Sequence, residues 1–295
     1  VFPATVVGKP RQEDFFLGDY LQELLSPLFP VVMPAVRDLW SYGETGYHAL
    51  SAAIVHERYK REAMASAFRI LGEGQLSLTK FLLITDCPVD LHDFPATLRH
   101  IICRADFRTD LFVFANLSMD SLDYAGPQVG EGSKGVLLGI GEPRRNLPSD
   151  FQGSVKKPVR GVRVFTDGCL VVDGPTHAED PDAGTLIAQD PAFADWPLVV
   201  LVDDAEQAAR STTNFLWTTF TRFNPASDIH ARSVELIQHH ASFTAPIVID
   251  SRMKANYPEE LFCDDSTHTL VGRRWKEYFP GGGVEMGDSA LGHLD

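Results

Sequence analysis

Lys80-Phe81-Leu82-Leu83-Ile84-Thr85-Asp86 is a continuous apolar run that ends in a polar turn, and it decides the fold. A strand with one wet face would alternate apolar and polar residues; this run does not, so it reads as a strand buried on both faces. Phe94 to Cys103 follows with helical spacing and Leu111 to Ala115 as another strand, completing a β-α-β unit. Upstream, Val31 to Trp40 and Ala49 to Val55 suit two strands around a Gly-containing turn at Ser41 to Gly46. Lys60 to Leu71 reads as an amphipathic helix ended by Gly72 and Gly74. Glu13 to Leu25 carries Phe16, Tyr20, Leu21, Leu24 and Leu25 at helical spacing, and Pro27 and Pro30 stop it.

The pattern returns later in the chain. Leu198-Val199-Val200-Leu201-Val202 predicts a second buried strand, Ala205 to Phe220 a helix, and Ile247-Val248-Ile249 a further strand. Asp86, Arg104 and Asp110 in the first unit match Asp204, Arg222 and Asp228 in the second, at separations of 18 and 6 residues both times. In each set the acid follows an apolar strand and the arginine follows a helix. The favoured reading is local: such an arginine pairs with a turn carboxylate and satisfies exposed helix carbonyls. The repeat implies an internal duplication. Between the units, Asp123 to Pro148 is rich in Gly and Pro and reads as an ordered loop, and Gly161 to Gly174 as a hairpin. A last helix is predicted near Ser266 to Tyr278, then a tail from Gly281 to Asp295 that has little to bury and is expected to be mobile. The expected fold class is α/β: a three-layer α/β/α arrangement with a mixed, largely parallel sheet containing two similar β-α-β units.

Composition sets limits on function. The 295 residues are 44% hydrophobic and 22% charged, with a formal net charge of −14. An acidic chain of this kind argues against a nucleic-acid backbone or an anionic membrane as partner, because both need clustered Lys and Arg. Cys87, Cys103, Cys169 and Cys263 show no CxxC spacing and read as reduced thiols, so the expected location is the cytoplasm. No apolar run approaches the length that spans a bilayer. The chain opens on Val1-Phe2-Pro3-Ala4-Thr5-Val6-Val7, strand-like and without an initiator Met, and reads as part of a longer protein.

Gly130-Glu131-Gly132-Ser133-Lys134-Gly135 holds the ingredients of a phosphate cradle: flexible glycines, a hydroxyl and a cationic point charge. It lacks Walker A spacing, and an exposed loop is the plainer reading of the string alone. Lys9 and the run Lys156-Lys157-Pro158-Val159-Arg160 are weaker and read as solvated loops. The adjacent His239 and His240 make a poor metal pair, and no HxH or HxxxH spacing occurs elsewhere. No Gly-x-Ser-x-Gly elbow appears, so the residues alone present no catalytic constellation.

Pro3-Ala4-Thr5-Val6-Val7-Gly8-Lys9-Pro10 with Glu13-Asp14, the strand Phe81 to Asp86, and Tyr124-Ala125-Gly126-Pro127 running into Gly132-Ser133-Lys134 resemble the C-terminal third of UbiD-type carboxy-lyases over roughly Val1 to Pro148. Trp217 to Asp228 resembles the same family's helix-to-strand signature, and Pro246 to Lys254 with Arg274-Trp275-Lys276 resembles the extended C-terminus of its longer members. The resemblance implies reversible decarboxylation of aromatic or α,β-unsaturated acids with prenylated FMN. It also implies that the catalytic triad and the divalent metal belong to N-terminal and middle domains preceding Val1. On that reading residues 1–12 are the remnant of a split-barrel domain, 13–30 a linking helix, 31–280 an α/β C-terminal domain with a possible subdivision near 149–197, and 281–295 the tail. Lys134, with Ser133 and Gly132 beside it, is implied as the contact to the cofactor phosphate. The domain is expected to support the cofactor, to make homo-oligomer contacts, to partner the missing domains of its own chain and to be inactive by itself. The alternative is a free-standing α/β enzyme or small-molecule-binding domain with its own site, marked by a deep pocket lined by both Asp/Arg/Asp sets.

Overall fold

The computed structural model describes residues 12–258 and 264–283. The proposed remnant of a preceding domain therefore lies outside the described residues except for Gln12, as does the tail beyond residue 283. The chain enters through α1 (Gln12–Leu25) and α2 (Phe29–Val32), with a 3-10 turn between them. The first half then runs β1 (Val36–Ser41), β2 (Leu50–Val55), α3 (Glu62–Ile70), β3 (Phe81–Thr85), α4 (Phe94–Ile102), α5 (Phe107–Asp110), β4 (Leu111–Ser118) and β5 (Glu131–Gly139). The second half runs β6 (Gly161–Thr166), β7 (Cys169–Asp173), α6 (Ala183–Gln189), β8 (Leu198–Val202), α7 (Ala205–Ala209), α8 (Thr212–Arg222), α9 (Pro225–Asp228), β9 (Ile229–Ile237) and β10 (His240–Asp250). A final helix, α10, spans Asp265–Tyr278.

The duplication reaches the whole topology. Each half is a five-stranded mixed sheet, ordered β1-β2-β3-β5-β4 and β6-β7-β8-β10-β9. In both, the three central strands are parallel and the two edge strands antiparallel. The runs at residues 81–85 and 198–202 sit at the centre of their sheets, buried throughout. Continuous apolar sequence is what a strand covered on both faces requires.

Helices cover both faces of each sheet. On the first sheet, Ala53, Val55, Leu82, Ile84, Val136 and Leu138 pack with α3. On the second, Leu170, Val172, Val199 and Leu201 pack with α6. The remaining faces look at each other across one shared helical layer, in which α4 supplies Phe94, Leu98 and Ile101 and α8 supplies Phe215, Leu216 and Phe220. The order of layers is thus helix, sheet, helices, sheet, helix, two α/β/α units with a common middle. Phe94 stands 5.9 Å from Phe215 and 6.0 Å from Phe220 between ring centroids, and Phe165 stacks on Phe215 at 3.7 Å. Phe94 thereby packs the first half on aromatics of the second.

Local signals set the helix ends. Asp93 caps α4 through the Ala96 N–H at 3.0 Å, and Ser211 caps α8 through the Asn214 N–H at 3.1 Å. The second cap explains why the helix predicted from Ala205 to Phe220 is divided: Asp204 starts α7, and Ser211 restarts the chain as α8. α1 lies against β1 through Gly18, where an added Cβ would be 3.1 Å from the Ser41 carbonyl oxygen. Gln22 Nε2 also donates to Asp38 Oδ1 at 2.7 Å. No helix among the described residues is long and apolar enough to cross a membrane.

Candidate functional site: a buried lysine pair

Residues 130–135, expected as a loop, are corrected by the structure: from Glu131 they form the entrance to β5, a strand paired with β3 on one side and β4 on the other. Its glycines serve close packing. A Cβ at Gly132 would stand 2.7 Å from Met119 Cγ, and at Gly135 2.3 Å from a Phe81 ring carbon. The wider loop expected over Asp123 to Pro148 shrinks accordingly to the two connections that flank this strand.

Lys134 is consequently buried, with 4% of its surface exposed, and its Nζ donates to the Thr79 carbonyl at 2.9 Å. Because Gly135 pairs with Phe81, Lys134 lies beside Lys80, which is 1% exposed. Lys80 Nζ is 2.7 Å from Asp123 Oδ2 and 5.5 Å from the centroid of the Phe223 ring. Burial pulls the Lys134 ammonium down to about 8; Asp123 opposes that shift and the positive charge of Lys80 adds to it. Two ammonium groups facing Asp123 leave the cluster with an excess of positive charge. Lys134 commits one of its three protons to Thr79 and has two left to give.

Polar groups continue outward from this pair at the N-terminal ends of the parallel strands. Thr79 Oγ1 lies 3.3 Å from Ser51 Oγ, which lies 2.7 Å from Ser41 Oγ. The Lys80 N–H donates to the His48 carbonyl at 2.8 Å, and His48 Nδ1 is 2.6 Å from Asp120 Oδ2. Burial pushes the Asp120 carboxyl up, but the bonds from His48 and Leu122 outweigh it and hold the group below the usual carboxylate range. Sequence reading did not find Lys80, Asp123 or the His48–Asp120 pair. The available signal was Lys80 itself, a charge heading an otherwise apolar central strand.

Ser133 and Gly132, expected with Lys134 at the phosphate, point to the joint between the halves. The Ser133 hydroxyl is hydrogen-bonded to Asn224 Oδ1 and accepts the Ala226 N–H at 2.8 Å, tying β5 to α9. Gly132 packs on Met119.

The repeated Asp/Arg/Asp sets are engaged in turns and in ion pairs to other elements, Arg61 Nη1 lying 2.6 Å from Asp110 Oδ1 and Lys254 Nζ 3.1 Å from Asp228 Oδ2. Asp110 Oδ2 accepts the Asp106 N–H at 2.8 Å, and Asp228 Oδ2 accepts the Asn224 N–H at 2.7 Å, closing the same turn in each half. Arg104 donates to the Gly141 and His100 carbonyls at 2.8 and 3.0 Å. Arg222 is 3.4 Å from Asp203 Oδ2, and Asp204 caps α7 through the Gln207 N–H at 3.0 Å. His239 lies in the β9–β10 turn with a positive φ of 65°, and His240 contacts the Arg108 carbonyl at 3.2 Å. No group of three or more His, Cys, Asp and Glu side chains arranged to hold a metal ion occurs among the described residues. Cys87, Cys103 and Cys169 are free thiols, and Cys263 lies outside the described residues.

Residues 15–139 match the family described as the 3-octaprenyl-4-hydroxybenzoate carboxy-lyase C-terminal domain. An uncharacterized protein of Chlamydia trachomatis is 51% identical over 280 residues, covering 95% of this chain and 48% of the relative. A Chlamydia pneumoniae protein, named as part of a 4-hydroxybenzoate decarboxylase, is 49% identical over 280 residues, covering 95% of this chain and 47% of that protein. This chain thus spans about half the length of the curated relatives it matches. Among solved structures, vanillic acid decarboxylase of Sedimentibacter hydroxybenzoicus in closed form superposes with a TM-score of 0.41 at 18% identity, over 47% of this chain and 30% of that one.

Proposed function

We propose that this chain, whose residues 15–139 match the 3-octaprenyl-4-hydroxybenzoate carboxy-lyase C-terminal domain, is the cofactor-supporting and assembly portion of a UbiD-type, prenylated-FMN-dependent decarboxylase. The substrates are aromatic or α,β-unsaturated acids, and the chemistry resides in N-terminal and middle domains of a longer chain working in the cytoplasm as a homo-oligomer. The observation that carries this reading is the buried pair of Lys134 and Lys80 opposite Asp123. A buried excess of positive charge is costly unless an anion shares the site, and a phosphate monoester is such an anion.

The residues present fit a phosphate in charge and in donors. Lys134 would hold it with the two protons not given to Thr79, and Lys80 would add positive charge while anchored to Asp123. Ser133 and Gly132 would act one step back, fixing the strand that carries the lysine. When bound, prenylated FMN supplies the reacting ring system. The part of this chain is to fix the phosphate end and keep water from it.

The test is flavin retention in a protein of the relatives' full length. Lys134→Gln should weaken cofactor binding by roughly tenfold or more, the loss of a charge-assisted hydrogen bond, in a chain that still folds. Equal flavin absorbance per chain in variant and wild type after gel filtration rejects the phosphate role. The 295-residue chain alone should release no carbon dioxide from aromatic acids; turnover by it would favour a free-standing enzyme.

A further inference from the structure

The run Lys156-Lys157-Pro158-Val159, which reads in sequence as a solvated loop, forms one wall of a cavity of about 280 Å³ beside α6. The other wall is the last turn of that helix and the two residues after it. Its deepest lining is apolar and fixed, since Val159 and Ile187 are 6% and 1% exposed and belong to the core between α6 and the second sheet. Leu186 lines the same cavity yet is 48% exposed, so α6 leaves a large apolar side chain uncovered at this place. The hydrocarbon body of a ligand covers such a surface.

The rim is cationic. Lys156 and Lys157 are exposed, and neither makes an ion pair or a side-chain hydrogen bond among the described residues. The chain carries 40 acidic side chains against 26 basic ones, so two adjacent ammonium groups left unpaired reverse the sign of its surface locally. The turn that holds them is closed: the Val159 N–H donates to the Lys156 carbonyl at 3.0 Å, and the Arg160 N–H donates to the Asp173 carbonyl at 2.8 Å as the chain enters β6. Arg160 itself is engaged by the Gly174 carbonyl. Asp190 is the carboxylate in the lining, and its Oδ1 already accepts the Ala192 N–H at 2.9 Å. Two ammonium groups against one carboxylate leave a single net positive charge, which suits a monoanion better than a phosphate dianion.

We propose that this cavity binds a small monocarboxylate with an apolar body, its carboxylate at Lys156 and Lys157 and its body against Val159, Leu186 and Ile187. The volume lies just below the span of roughly 300–1,000 Å³ common to small-molecule sites, so the body is the size of one ring or a short chain. The site belongs to the second half, outside the family match at residues 15–139, and it stands or falls separately from the phosphate role of Lys134.

The experiment is a ligand-observed NMR titration of benzoate into the 295-residue chain. Benzoate should saturate the protein with a Kd of about 5 mM or tighter. K156Q/K157Q removes both charges, keeps the apolar wall and should bind at least about tenfold more weakly. Benzamide has the same shape without the charge, and acetate has the charge without the body; each should bind the wild type at least about tenfold more weakly than benzoate does. K134Q should keep the benzoate affinity within about twofold of the wild type, which separates this cavity from the buried lysine pair. The proposal is overturned by a failure of benzoate to saturate, by an unchanged affinity in K156Q/K157Q, by parity of either control with benzoate, or by loss of binding in K134Q.

Discussion

Asp86 and Asp203 hold the same position in the two halves: each directly follows a central strand, and its Oδ2 accepts a backbone N–H from the segment leaving the neighbouring parallel strand. The donors are Gly141 at 3.0 Å and Met253 at 2.8 Å. Equal spacing in sequence pairs Asp86 with Asp204 instead, but Asp204 caps a helix. The two halves differ by one residue at this turn, and geometry identifies the equivalent carboxylate.

Asp203→Ala leaves the Met253 N–H without its acceptor and removes a partner of the buried Arg222. We expect a loss of about 1–3 kcal/mol in urea unfolding, against about 1 kcal/mol for the cap variant Asp204→Ala. Equal losses would refute the equivalence of Asp86 and Asp203.

Lys134 gives the fold a pH dependence. Its ammonium titrates at about 8 in the fold and at 10.5 when unfolded, so between those values the unfolded chain binds the extra proton. Stability contributed by this residue therefore rises with pH across that window, as the cost of a buried charge is relieved. In Lys134→Met the rise should vanish, and urea midpoints at about pH 7 and about pH 9.5 would differ less than in the wild type. A bound phosphate would favour the charged form and flatten the wild-type curve.

Gly139 marks a close approach of α4 to β5, since an added Cβ would be 2.5 Å from Ile101 Cα. The neighbour is helix backbone, so it has no rotamer by which to yield. Gly139→Ala should cost about 1–3 kcal/mol, read by thermal unfolding; a neutral result would mean that the helix moves away freely.

Phe215 touches both halves through Phe94 and Phe165. Phe215→Ala should cost about 3–5 kcal/mol. Amide exchange in β3 and β8 should accelerate together, because the layer that it opens covers both sheets. Acceleration in β8 alone would show that the halves unfold separately.

Elements with saturated apolar sequence were legible: β3 and β8 were found almost to the residue, and α1 and α4 followed from helical spacing and their stops. The strand that matters most to the site was not. β5 opens on Glu131-Gly132-Ser133-Lys134-Gly135, and glycine signals a loop unless the neighbours that need its missing side chain are known. β9 was missed for another reason. Most of it is exposed, so Arg232 to Glu235 carries no burial pattern to read. Lys134 could be singled out from the string around it, but its burial and its neighbour Lys80 depend on a strand register that no local spacing encodes.

The family match stops at residue 139, yet the matter of the protein does not divide there. Phe81 and Phe94 are covered by Phe215 and Phe220, which come from beyond that point. A gene broken after Gly139 would yield a polypeptide with a bare aromatic flank, prey to proteases and chaperones. In this chain the two sheets share one set of helices, so removing either half would strip the other of its inner cover.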